Sequence, residues 1–178
     1  LVVSRMALTV HRGRRNLFVR EDSVADAGTG FLAGLRAHAA GLTALLRPAL
    51  TGDVSFASGR TPAPPPADSE FWSWESGWAG PLRFSIDRRG GCLTVSGLDG
   101  SGNPYLMLAG LLVAGLDGLS ATSADGSPEA TLQPRYPADP AVALAELEAD
   151  ECLRGGIGEA TTTAYAAALR DLWAHAAH

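Results

Sequence analysis

Apolar residues fill nearly every position from Tyr105 to Leu119, and the one charge among them, Asp117, falls near the far end. A segment without a polar stripe must be covered on most sides, so the pattern predicts a buried helix. Asn103 supplies its N-cap, Pro104 suits its first turn, and Gly118 can close its C-terminus. Around it the periodicities are weaker. Val3, Met6, Leu8 and Val10 alternate in part with Arg5, Ala7 and Thr9 and predict a strand over residues 1–10. A turn spans His11 to Arg15, and Asn16 to Val19 reads as a short strand or a loop. Ser23 or Asp26 can cap a helix running to about Arg47, carried by Phe31, Leu35, Leu42 and Leu46, with a break near Gly41 and an end at Pro48.

Residues 50–70 have the composition of a linker, and Thr61 to Pro66 reads as a stiff polyproline-like connector. Phe71, Trp72, Trp74 and Trp78 form an aromatic group of the kind that fills a core or an interface; stacking on a base or sugar is the sharper alternative. Leu82–Ile86 and Cys92–Ser96 predict two strands joined by a hairpin at Asp87 to Gly91. Residues 120–138 read as a loop. Asp139-Pro140 opens a further helix with Gly155-Gly156 as its end. A last helix runs from about Glu159 to His175, with Tyr165, Leu169, Leu172 and Trp173 on its apolar side. The order is antiparallel strands plus segregated helices, an α+β class.

The 178 residues carry 46% hydrophobic and 19% charged side chains, enough to bury a core. Net charge is −5, and all 14 basic residues are arginine. No basic stripe marks a nucleic-acid surface, and Arg12, Arg14 and Arg15 read as a solvated turn rather than an anion site. The absence of lysine excludes a Walker-type phosphate loop and a lysine Schiff base. Cys92 and Cys152 show no metal-ligand spacing and read as free thiols of a cytoplasmic protein. The longest apolar run, Leu106 to Val113, is too short for a bilayer, so no membrane partner is expected. The start at Leu1, without methionine, reads as a cut point, and it is not a signal peptide.

Several of these segments, in order, resemble the C-terminal half of the glutamine synthetase catalytic domain. The run from Asn103-Pro104-Tyr105-Leu106 to Ala114-Gly115-Leu116-Asp117-Gly118 resembles the helix after that family's last catalytic strand. Phe31 to Leu45, with Ala37-His38-Ala39, resembles another of its helices. Asn16-Leu17-Phe18 resembles the end of its metal-histidine hairpin, and Leu144 to Asp150 with Leu153 and Gly158 resembles its C-terminal segment. The resemblance implies an antiparallel sheet of the glutamine synthetase/guanido kinase-like type. It makes residues 1–178 a partial domain that lacks the family's N-terminal half.

By resemblance, the activity would be ATP-dependent ligation of a carboxylate, such as glutamate, to ammonia or another amine in nitrogen metabolism, using ATP with magnesium or manganese. The family's metal-binding His positions fall on Ala7 and Thr9, its metal-binding Glu on Thr94, and a nearby arginine on Ser96. His11 could substitute only if the strand register slipped. The substrate arginine position falls on Ser55, and an Arg-Asn-Arg turn falls on Ser76-Gly77-Trp78. Only Arg83 matches a family arginine; the resemblance implies a role toward phosphate, while a single arginine on a strand otherwise reads as a surface residue or a local salt bridge. The resulting expectation is a pseudoenzyme: a structural or regulatory homologue with no catalytic or metal residues and no cofactor of its own. It would join homo- or hetero-oligomers of glutamine-synthetase-like chains. The alternative is a divergent ligase completed by an N-terminal half or a partner chain.

Overall fold

The computed structural model describes residues 4–21, 23–48, 69–76, 80–125, 137 and 139–176. Four strands form an antiparallel sheet in the order β1 (Ser4–Leu8), β8 (Cys92–Leu98), β7 (Gly80–Asp87), β6 (Ser69–Ser76). Two short ladders lie between β1 and the first helix. One pairs β2 (His11–Arg12) with β3 (Arg15–Asn16), the other β4 (Val19–Arg20) with β5 (Ser23–Val24). The helices are α1 (Asp26–Ala37), α2 (Ala39–Leu46), α3 (Pro104–Asp125), α4 (Pro140–Ala149), α5 (Glu151–Ile157) and α6 (Glu159–Ala176).

Period-two alternation gives the central strands two unlike faces. Leu82, Phe84 and Ile86 of β7 and Leu93 and Val95 of β8 are fully buried and join Phe31, Leu35, Leu42 and Leu111 in one core. Arg83, Ser85, Thr94 and Ser96 fall on the other face and are only half-buried. The β7–β8 hairpin forms where the sequence places it. Asp87 accepts hydrogen bonds from the backbone N–H groups of Arg89 and Gly90 at 3.0 and 3.1 Å, and Gly91 takes φ +59°. Phe71, Trp72 and Trp74 lie in β6, which pairs with β7 along its length. Trp78, the polyproline-like stretch and Ser55 lie outside the described residues.

The helix boundaries depart from the sequence expectations for packing reasons. The break between α1 and α2 is at His38, not Gly41. Gly41 sits inside α2, where an added Cβ would lie 3.0 Å from Leu153 Cδ1 and 3.1 Å from Leu147 Cα. Neither Ser23 nor Asp26 caps α1; Ala25 holds that position without a side-chain bond. α3 runs through Gly118 to Asp125, because this glycine is used for helix contact rather than termination. Asp150 divides α4 from α5, Gly155 and Gly156 stay helical, and Gly158 at φ +105° ends α5.

α3 also corrects the reading of apolar length. Pro104–Ala121 is 18 residues long and apolar enough to cross a bilayer by length and composition. In this fold Met107, Leu111 and Ala114 on that helix are buried in the core, while Tyr105 and Leu116 are exposed.

Candidate metal centre

The break between α1 and α2 sets the position of His38. Its backbone leaves helical geometry (φ −96°, ψ 12°), and its largely buried ring reaches toward α3 and the α4–α5 junction. Nδ1 lies 2.6 Å from Asp150 Oδ2, and Nε2 lies 3.2 Å from Asp117 Oδ2. Asp150 is itself fixed as the N-cap of α5, where its Oδ1 accepts from the Leu153 N–H at 2.9 Å. A carboxylate held on both oxygens fixes the ring orientation and favours the tautomer with its proton on Nδ1.

Cys152 follows two residues later, in the first turn of α5. One donor atom from each of His38, Asp117 and Cys152 lies within 4.8 Å of the other two. A shallow cavity of about 160 Å³ opens beside the group, lined by Ala37, His38, Ala40, Gly41, Glu146, Ala149 and Asp150.

The electrostatics follow from the geometry. The hydrogen bond to Asp150 raises the His38 pKa above its ordinary value; burial opposes this and Asp117 adds to it. Burial pushes the Asp150 carboxyl up, but the hydrogen bonds from His38 and Leu153 prevail and hold it low. Burial pushes the Cys152 thiol up, and the charges of Asp117 and Asp150 push it further. The acids therefore favour a positive charge at this point, whether a proton on the imidazole or a bound cation.

The sheet is different. Ala7 stands opposite Thr94, which stands opposite Ser85; Arg5 stands opposite Ser96, which stands opposite Arg83. Magnesium or manganese needs a set of oxygen or imidazole ligands, and Ala7, Thr9, Thr94 and Ser96 do not provide one. The register has not slipped to bring His11 into this row, since His11 pairs with Asn16 in the β2–β3 ladder. Arg83 lies on this face, opposite the buried one that packs on the helices.

Two expectations are corrected here. The chain does not lack metal ligands altogether, and a candidate cofactor site remains in it: His38, Asp117 and Cys152, in the helical layer, are placed so that they could hold a metal ion. What is overturned is the complete loss of metal ligands; the sheet positions that the resemblance assigns to them, Ala7, Thr9, Thr94 and Ser96, remain without any. Sequence reasoning missed this set because its members are 79 and 35 positions apart, so no local spacing shows them. The available signal was a charged residue inside an apolar helix, Asp117, and a His within the apolar run from Phe31 to Leu46.

Comparison with known proteins agrees with this fold. Residues 93–178 match the family "glutamine synthetase, catalytic domain". Lengsin of Mus musculus is 30% identical over 165 residues, covering 83% of this chain and 28% of that protein. Lengsin of Canis lupus familiaris is 28% identical over 163 residues, covering 83% and 27%. The chain thus spans about a quarter of the length of these relatives. Among solved structures, GmaS without ligand superposes with a TM-score of 0.63 at 27% identity, over 96% of this chain and 41% of that one. GmaS in complex with ADP gives 0.62 at 26%, over 96% and 42%. A novel glutamine synthase homolog, 20% identical with a TM-score of 0.65 over 96% and 41%, shares the fold.

Proposed function

This chain is a relative of the glutamine synthetases, built on their catalytic-domain fold, and we infer that it works as a metal-holding domain whose ion sits in the helical layer instead of on the sheet. One observation carries the reading: an imidazole nitrogen, a carboxylate oxygen and a sulfur, from three separate helical segments, converge within 4.8 Å. An ion there would tie the α1–α2 break to α3 and α5. It would also relieve the local excess of negative charge from Asp117 and Asp150.

The test is metal content. The full chain, purified without chelator, is expected to hold about one divalent ion per molecule and to unfold at lower temperature once the ion is stripped. His38→Ala should abolish both effects. A folded wild-type chain that takes up no divalent ion would refute the reading.

A second reading concerns the sheet and is favoured by one row of residues, in which Arg5 and Arg83 flank Ser96 on neighbouring strands. Two guanidinium groups on one face suit an anionic group such as a phosphate. The likeness to GmaS, whose solved forms include an ADP complex, supports trying ADP as the probe. Calorimetric binding of ADP that weakens at least tenfold in Arg83→Ala would support it; equal binding by both chains would end it. Assembly with glutamine-synthetase-like chains is a further proposal, supported by the exposed Tyr105 and Leu116 of α3, and mass measurement in solution decides it.

A further inference from the structure

We propose that the centre selects a thiophilic divalent ion of the zinc class, with Cys152 as a thiolate ligand and Asp150 as the residue that positions His38. This rests on the metal-holding reading above and goes beyond it in naming the ion class. It differs from the magnesium or manganese that the family resemblance implies.

The donor set carries the argument. Magnesium and calcium take six or more oxygen ligands, and the set offers a single carboxylate beside nitrogen and sulfur. Imidazole, carboxylate and thiolate together suit zinc, and cobalt(II) as its spectroscopic substitute.

The spacing agrees. Zinc bonds of about 2.0–2.3 Å in tetrahedral geometry place ligand atoms roughly 3.3–3.6 Å apart. His38 Nε2 and Asp117 Oδ2 already stand 3.2 Å apart, and no pair in the set exceeds 4.8 Å. A rotamer-scale adjustment of the Cys152 side chain closes the remainder. Coordination takes up the thiolate, and the thiol proton passes to solvent.

The second observation is Asp150. A zinc-bound histidine commonly donates its other ring N–H to a carboxylate, which fixes the ring and strengthens the ligand. Here Nδ1 meets Asp150 Oδ2 at 2.6 Å, and Asp150 is held from behind by the start of α5. The orienting partner is in place before any ion arrives. Three protein donors leave a fourth position for water or a small ligand, as in zinc sites that remain open.

The experiment uses the full 178-residue chain. Zinc affinity is read by competition with a chromophoric chelator, alone and with millimolar magnesium or manganese. Cobalt(II) loading is read by its thiolate-to-metal charge-transfer band. The expected result is one zinc that magnesium and manganese do not displace, and a cobalt band that disappears in Cys152→Ser but persists in Cys92→Ser.

Asp150→Asn should keep the band while zinc affinity falls about 10–100-fold. Since the wild-type spectrum is itself diagnostic, a variant that fails to fold leaves the test intact. Cobalt bound without a thiolate band, or equal competition by magnesium, would overturn the assignment while the metal-holding reading stood; a band that follows Cys92, a residue of β8, would place the ion on the sheet and overturn both. No divalent ion bound to a folded chain would overturn both.

Discussion

Gly34 of α1 and Gly118 of α3 face each other across the helix crossing with no side chain between them. A Cβ on Gly34 would come within 2.7 Å of Gly118 N, and one on Gly118 within 2.6 Å of Gly34 Cα. The obstructing atoms are backbone, so neither helix can yield by changing a rotamer. Gly34→Ala or Gly118→Ala should each cost about 3 kcal/mol, the upper range for overpacking a core. Urea denaturation of the single variants measures it. The double variant should cost less than the sum of the two, because the first substitution already separates the helices.

Gly155 is the opposite case. It lies in α5 with nothing within 4 Å of an added Cβ, and its φ is not positive. Gly155→Ala should therefore stabilise the chain by about 0.5 kcal/mol through helix propensity alone. At the next residue a Cβ would meet Val113 Cγ1 at 2.5 Å, so Gly156→Ala should show no such gain. Thermal melts of the two variants, run together, separate propensity from contact.

These glycines also show what the sequence could convey. The helix after Asn103 and the alternation in β7 and β8 were legible because each is a local pattern, but the expected cover on most sides of that helix is not found: 33% of Pro104–Ala121 is buried, and Tyr105 and Leu116 are exposed. Asn103 indeed caps α3, accepting from the Tyr105 N–H at 2.9 Å. The end of α3 was not legible, because Gly118 looks like a terminator along the chain and becomes a contact residue only once α1 lies across it. The α1–α2 break was misplaced by a few residues for the same reason. Gly41 fits beneath α4 and α5, whereas His38 leaves the helix to meet Asp117 and Asp150. The metal-ligating set is the extreme case: its members share no segment, and only the packing of α1, α2, α3 and α5 unites them.

α6 is held to the end of α2 by two hydrogen bonds across the chain. Tyr165 Oη donates to the Ala44 carbonyl at 2.8 Å, and Trp173 Nε1 donates to the Pro48 carbonyl at 2.9 Å. The Ala44 carbonyl is among the last of α2, and such groups lack a partner within their own helix. Burial raises the Tyr165 pKa, which keeps the hydroxyl a donor at any ordinary pH. Tyr165→Phe should cost about 1 kcal/mol, the usual value of one such bond. Trp173→Ala should cost more, since it also removes apolar packing. Hydrogen exchange should show faster opening of α6 in both variants, with α3 little changed.

The metal-free chain should have a stability optimum on the acid side of neutrality. His38 faces Asp117 from α3, Asp150 from the α4–α5 junction and Cys152 from α5, with Glu146 of α4 lining the adjoining cavity. Its pKa in the folded chain lies above the ordinary 6.5, so its contribution is complete below that value and is lost as pH rises through the folded pKa. The Asp150 carboxyl lies below its ordinary 3.8, so its contribution is present above that value and is lost as pH falls through the folded pKa. Between these limits His38 is charged, Asp150 is ionised, and the bond between them has its full strength. Denaturation midpoints measured in chelator should hold level from about pH 4 to pH 6.5. They should then decline as the imidazole loses its proton. His38→Gln keeps a hydrogen-bonding side chain without the titration and should remove that decline. If the variant declines as steeply as the wild type, the pH dependence originates elsewhere in the chain.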